Sequence, residues 1–345
     1  LAEWWRALGI EPEAMIGHSV GELVAACLAG TLTLEDALAL VAARGRLMQA
    51  RPPGVMLAVP LAEDALRPLL GPDLALAAVN APALTVAAGP EAAVAELEQR
   101  LKAQGITGHR LHTSHAFHSA MMDPVAASFA DEVRRVRLAP PRRPWVSNVT
   151  GTWITREEAT DPTYWARHLR QTVRFGDGVR TLLEDPERVF LEVGPGPTLG
   201  RLVRQQLGRG ADRPILASLP HAEDPRSDLA VALEALGRLW LAGAPVEWPG
   251  LWAGERRHRV VLPTYPFERQ RYWVDPARPA APREATSARL ERRPDVADWT
   301  YVPSWRRTAP PAPDPRSTED ALWLLFVDEA GLGAQIGRAS CRERV

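Results

Sequence analysis

The sequence predicts an α/β protein in which a larger subdomain is interrupted by a smaller one. Three observations carry this. Residues 54–112 alternate strand and helix signals in the order βαββαβ. The flanking stretches 1–53 and 113–220 carry helix and strand signals of a different kind, so the middle unit reads as an insertion. The heptapeptide IGHSVGE, Ile16–Glu22, lies between a short apolar run and a helix pattern.

The elements follow in chain order. Leu1, Trp4, Trp5 and Leu8 recur at helical spacing, AMI reads as a short strand, and GELVAACLAG reads as a helix stopped by Gly30. Thr33 and Asp36 resemble a capping box that opens the helix LEDALALVAARGRLMQA, and RPPG ends it. The insertion runs VMLAVP, AEDALRPLL, LALAAVN, LTVAAG, EAAVAELEQRLKAQG and ITGHRLH, the order of a ferredoxin-like unit. Strand and helix signals resume in WVSNVT, RVFLEVGPGPTLGRLVRQQL and PILASL. Residues 221–274 combine the amphipathic helix DLAVALEALGRLWLAG with VVLPTYPFERQRYWV, whose prolines and aromatics predict an extended segment. Residues 275–320 have the composition of a linker, and 321–335 open a new strand-turn unit. The closing stretch 336–345, IGRASCRERV, resembles one reading frame of a sequencing adapter and is set aside with Cys341.

Composition narrows the function classes. The 345 residues carry 41 Lys plus Arg against 42 Asp plus Glu, a formal net charge of -1. Nothing in that balance favours nucleic acid or an anionic membrane surface. Two cysteines make neither a disulfide framework nor a cysteine zinc site, which fits a cytoplasmic location. There is no apolar run of membrane-spanning length and no signal pattern at the amino end. The sequon NVT at Asn148 has no meaning in a cytoplasmic protein.

The segment GHSVG fits G-x-S-x-G, in which Gly17 and Gly21 are expected to allow a sharp strand-to-helix turn that lifts the Ser19 hydroxyl. The helix start beneath it supplies oriented N–H groups, and the Val20 N–H can face a developing oxyanion. The alternative is that Ser19 only caps the helix. A nucleophilic serine needs a base, and three of the eight histidines, His112, His115 and His118, cluster in LHTSHAFHSAMMDP. Arg44 lies on an apolar strip of its helix, where a charge needs an anionic partner, such as the structural carboxylates Glu22 or Asp36.

Taken together, GHSVGE, HAFHS and LPTYPFERQRYW resemble the acyltransferase domain of a modular type I polyketide synthase with its trailing linker, over about residues 1–275. The resemblance implies an α/β-hydrolase-like large subdomain (1–53 and 113–220) with an inserted ferredoxin-like small subdomain (54–112), then a post-acyltransferase helix and linker (221–274). It makes Ser19 the acylated nucleophile and His118 its base, with the His168 backbone carbonyl orienting the imidazole. It matches Arg44 to the arginine that holds the free carboxylate of the extender unit. In the family, HAFH and a small aliphatic residue after the serine accompany malonyl, whereas YASH and glutamine accompany methylmalonyl. His115, Ala116, Phe117 and Val20 therefore suggest malonyl. The implied donor is malonyl-CoA, and the implied acceptor is the phosphopantetheine thiol of an acyl carrier protein, with no metal and no cofactor bound in this chain.

Residues 321–335 look like the start of a ketoreductase region. Ketosynthase and ketoreductase neighbours in a parent polypeptide follow from that likeness, with NADPH belonging only to such a ketoreductase. The family's GQGxQ segment, whose glutamine helps build the oxyanion hole, precedes the first residue of this chain. The chain is therefore expected to be a truncated fragment. A serine hydrolase and a catalytically silent scaffold are the competing readings.

Overall fold

The computed structural model describes residues 1–208, 213–271, 273, 294–299, 303–306 and 308. It divides into two units, Leu1–Val261 and Leu262–Val345. The described residues include eight strands: β1 Met15–Ile16, β2 Val55–Val59, β3 Ala75–Ala81, β4 Leu84–Gly89, β5 His109–Arg110, β6 Trp145–Val146, β7 Phe190–Glu192 and β8 Ile215–Ala217.

The insertion forms one antiparallel sheet in the order β3-β4-β2-β5. With the helices Glu63–Leu66 and Glu91–Ala103, this is the ferredoxin-like arrangement that the βαββαβ order predicts. Two elements are shorter than their sequence signals. The first helix tightens into a 3-10 turn at Arg67–Leu69, where Pro68 has no N–H to donate. The last strand keeps only His109–Arg110 of ITGHRLH, both exposed at the sheet edge. Helix Glu91–Ala103 packs on β2 and β4 and buries Val94, Leu97 and Leu101 against Leu57, Val59 and Ala87.

In the larger part, β1 and β6 pair in parallel, Met15 opposite Trp145 and Ile16 opposite Val146. Their carboxyl ends therefore release two loops side by side, the Gly17–Val20 turn and residues 147–149. Ligands in parallel α/β sheets are met at such ends. β7 and β8 form a second parallel pair. The helices Gly21–Leu28, Leu34–Gln49, Asp123–Arg134 and Pro162–Arg170 enclose a core that includes Trp145, Phe129, Tyr164 and Trp165, all fully buried. Thr33 caps helix Leu34–Gln49 by accepting the Asp36 N–H, as its spacing predicts.

The insertion is tied to the larger part by backbone. Val79 N–H donates to the Val173 carbonyl, and Val173 N–H donates to the Ala77 carbonyl, both at 2.9 Å. A shared core of Met56, Ala77, Ala78, Val173, Phe175 and Val179 lies behind this junction.

In the second unit, residues 262–271 have no regular structure, and Val296–Trp299 is a short 3-10 turn. The ketoreductase-like stretch 321–335, the terminal stretch 336–345 and most of the linker 275–320 lie outside the described residues.

Leu97→Ala empties a fully buried position of the insertion. It is expected to lower unfolding stability by about 2–5 kcal/mol, read by urea denaturation.

Candidate active site

The turn after β1 brings strand and helix so close that only one residue type fits its first position. A Cβ on Gly17 would lie 2.0 Å from the backbone carbon of Gly21. Gly21 itself has open space there and an ordinary φ, so the sequence expectation that both glycines are needed is corrected: Gly17 alone is sterically required. The strained residue is Ser19, with φ of 52° in the left-handed region. Its hydroxyl stands at the start of helix Gly21–Leu28, for which Val20 is the cap residue. Ser19 does not cap that helix with its side chain.

Ser19 Oγ lies 2.7 Å from His118 Nε2. His118 Nδ1 lies 2.9 Å from the Gln171 backbone carbonyl. A carbonyl only accepts, so Nδ1 carries the proton and Nε2 is left to accept from the serine hydroxyl. The orienting carbonyl belongs to Gln171 and not to His168, which corrects the expectation drawn from the family likeness. Burial, followed by the neighbouring His168, Arg44 and His18, holds His118 well below the ordinary histidine range, so the ring is neutral at pH 7. His118 also has a left-handed backbone, φ 56°, in a loop held by the Ser119 hydroxyl, which donates to the Ala116 carbonyl at 2.6 Å.

Arg44 projects from helix Leu34–Gln49 and its Nη2 donates to Ser19 Oγ at 2.9 Å. The side chain is 7% exposed, and burial lowers its pKa to about 10, which leaves it protonated at pH 7. Among the described residues no carboxylate pairs with it and its Nε has no partner. Neither Glu22 nor Asp36 fills the role of structural partner.

Glu22 is occupied beneath the turn. Its carboxylate is fully buried and accepts from Trp145 Nε1 at 3.1 Å, from the Asn148 N–H at 2.7 Å and from the Tyr164 hydroxyl. His168 Nε2 lies 3.4 Å away. Burial pushes the carboxyl up, but His168, Tyr164 and the Asn148 N–H outweigh it and hold the group below its ordinary value. Burial, followed by Glu22, pushes the Tyr164 hydroxyl up, so it stays a donor.

The remaining residues divide. His115 is buried with both ring nitrogens used, Nε2 donating to the Arg51 carbonyl at 3.0 Å and Nδ1 accepting from Ser114 Oγ at 2.8 Å. It therefore ties the histidine loop to the chain just past the helix that carries Arg44. Ala116 is buried against Gly54, and Phe117 is half-buried between the two larger cores. His112 is exposed. The Val20 N–H has no hydrogen-bond partner among the described residues. Sequence reasoning does not reach Gln171, Asn148 or Asn80, the last accepting from His18 Nε2 at 2.8 Å. Asn148 Oδ1 accepts the Ser19 N–H and its Nδ2 donates to the Gly17 carbonyl, each at 2.7 Å. The one sequence signal at Asn148 is its sequon, which has no bearing on these bonds.

A serine paired with an oriented neutral histidine, at the carboxyl ends of parallel strands and beside an unpaired buried cation, can carry an acyl group. The model of the acyl transferase domain family matches residues 1–245. The chain belongs to the acyl transferase domain family. Its relatives are polyketide synthases. A phenolphthiocerol/phthiocerol polyketide synthase of Mycobacterium tuberculosis is 40% identical over 281 residues, covering 80% of this chain and 18% of the relative. The spectinabilin polyketide synthase system protein NorB of Streptomyces orinoci is 40% identical over 287 residues, 82% of this chain and 13% of the relative. The acyl transferase thus spans less than a fifth of these relatives. Among solved structures, the acyl transferase domain of ZmaA superposes with a TM-score of 0.71 at 40% identity, covering 76% of this chain and 61% of that one. The acyl transferase domain of SpnD, in complex with 2-(pent-4-yn-1-yl)malonyl, does so at 0.67 and 43%, covering 71% and 58%. Like these, the acyl transferase has an α/β fold with a large and a small subdomain. Among its described residues, no helix is long and apolar enough to cross a membrane.

Replacing Glu22 by Ala strands two buried donors, Trp145 Nε1 and the Asn148 N–H, while the Tyr164 hydroxyl keeps Ser147 Oγ at 2.7 Å. The change is expected to cost about 1–3 kcal/mol of stability for each stranded donor, read by thermal or urea melting.

Proposed function

We propose that this acyl transferase moves a malonyl unit from CoA to Ser19 and then to the phosphopantetheine thiol of an acyl carrier protein. The observation that carries this is Arg44, a buried guanidinium without a carboxylate partner among the described residues, 2.9 Å from the nucleophile. Malonyl-CoA has a thioester at one end and a carboxylate at the other. Arg44 pairs with the carboxylate while Ser19 attacks the thioester carbonyl. An acetyl group would leave the guanidinium unpaired in a buried site, and such sites reject the analogue.

In the first half-reaction His118 Nε2 takes the Ser19 proton as the Oγ–carbon bond forms, and the Val20 N–H faces the oxyanion. The Gln171 carbonyl stabilises the imidazolium through Nδ1–H. Collapse breaks the carbon–sulfur bond, and His118 returns the proton to the departing CoA thiolate. In the second half the carrier thiol gives its proton to His118, attacks the Ser19 ester, and Oγ regains the proton. Phe117, between two cores, and the His115-tethered loop restrict the room beside the malonyl methylene and favour malonyl over methylmalonyl. One methyl is worth only about 1–3 kcal/mol in such a pocket, so discrimination is modest. The substituted malonyl bound to the SpnD domain, at 43% identity, supports a malonyl-type substrate. A carrier protein, a ketosynthase and a ketoreductase in one parent polypeptide, in the cytoplasm, are the partners this reading implies, and NADPH would serve that ketoreductase alone.

Intact-mass measurement after incubation with malonyl-CoA is expected to show one malonyl adduct, absent in Ser19→Ala. Labelling that persists in the variant refutes the assignment. Arg44→Ala is expected to shift preference from malonyl toward acetyl thioesters, and unchanged selectivity removes Arg44 from the role. Because His118 is held below the ordinary histidine range, the neutral base form persists as pH falls toward 7 and below. Acylation is therefore expected to be level between pH 7 and 8 and to fall only at lower pH. An acid limb centred above 7 in the pH–rate profile would contradict this.

A further inference from the structure

We infer that Asn148 is the positioning residue that sets the nucleophile turn, an inference that rests on the reading of Ser19 as the acylated residue. Four hydrogen bonds converge on it, each 2.7 Å long. Its side chain accepts from the Ser19 N–H and donates to the Gly17 carbonyl. Its backbone N–H donates to Glu22 Oε2 and its backbone carbonyl accepts from the Arg174 N–H. The carboxamide thus clamps the residues on both sides of His18, while the backbone of Asn148 is held from two directions.

The chemistry singles out a carboxamide. Ser19 is left-handed, so its N–H turns inward and needs an acceptor, while the Gly17 carbonyl two residues earlier needs a donor. One planar group presents both. A carboxylate has no donor, and a hydroxyl is too short to span both partners.

The same clamp refers the nucleophile to its base. His118 is oriented by the Gln171 carbonyl, and Asn148 is held by the Arg174 N–H. These lie on one strip, residues 171–174, which Val173 pins to the insertion by two backbone hydrogen bonds. Arg174 is further anchored by its side chain to Glu63 of the insertion and to Asp177. Serine and histidine therefore hang from a common strip by two short links, one through Asn148 and one through Gln171. Loss of the first link frees Ser19 to move relative to His118. A misplacement of about 1 Å between reacting groups can cost about 10²-fold in rate.

The test is rapid-quench intact-mass kinetics with malonyl-CoA on the full chain, comparing wild type, Asn148→Ala and Asn148→Asp. Asp keeps the acceptor for Ser19 but sets an oxygen against the Gly17 carbonyl. The positioning role predicts that the acylation rate at saturating malonyl-CoA falls about 100-fold in Asn148→Ala. It also predicts a clear fall in Asn148→Asp. The half-saturating concentration should stay within about threefold, and the final labelled fraction should remain that of wild type. A merely structural role lowers the labelled fraction and leaves the rate of the folded chains alone, and that result overturns the inference. So does a wild-type rate in either variant. If Asn148→Ala fails to fold, the isosteric Asp variant decides by the same criteria. Absence of a Ser19 adduct in the wild type itself overturns the underlying reading and is visible without any Asn148 variant.

Discussion

The buried carboxylate of Glu22 is the constraint on which the site depends. It gathers Trp145 from β6, the Asn148 N–H from the loop after it, the Tyr164 hydroxyl and His168 from one helix, all around a charge with no access to water. A buried charge is tolerated only when its lone pairs are met, so these elements have one relative placement. Above that point stand two residues with left-handed backbones, Ser19 and His118. Each costs on the order of 1–3 kcal/mol and persists only where the surroundings over-determine it. Glu22 and Asn148 do so for the serine; Ser119 and Gln171 do so for the histidine.

The electrostatics of the cleft follow from the same burial. His118 is held neutral first by desolvation and then by its neighbours His168, Arg44 and His18, whereas Arg44 keeps its proton because a guanidinium holds one even after burial lowers its pKa. Among the described residues the site therefore combines a neutral base with a positive charge that no carboxylate pairs, next to one hydroxyl. An acyl group that brings its own carboxylate completes the charge balance, and one that lacks it does not. On this reading selectivity comes from an incomplete ion pair more than from a shaped pocket.

The sequence shows the fold clearly where the signal is local. The βαββαβ order, the Thr33 cap and the G-x-S-x-G turn all depend on residues near one another, and each is present in the structure. What stays hidden depends on pairings across more than fifty residues. The carbonyl that orients His118 comes from Gln171, and any residue could have supplied it, since backbone carbonyls leave no mark in composition. Asn148 is 129 residues from Ser19, and its role lies in a carboxamide geometry that its sequon does not advertise. The motif around His115 suggests selectivity; the structure places the ring as a tether with both nitrogens occupied, which a single sequence cannot distinguish. Gly21 looks like a steric necessity because the motif contains it, yet only Gly17 is crowded.

What decides the chemistry is whether the buried Arg44 charge receives the free carboxylate of the acyl group while Ser19 holds the other end. A crystal structure of the chain trapped after acylation by malonyl-CoA tests this most directly. The expected result is an ester at Ser19 Oγ, with the distal carboxylate in hydrogen-bonding contact with the Arg44 guanidinium. An ester whose carboxylate points to solvent, with Arg44 still turned to Ser19 or paired elsewhere, would contradict it.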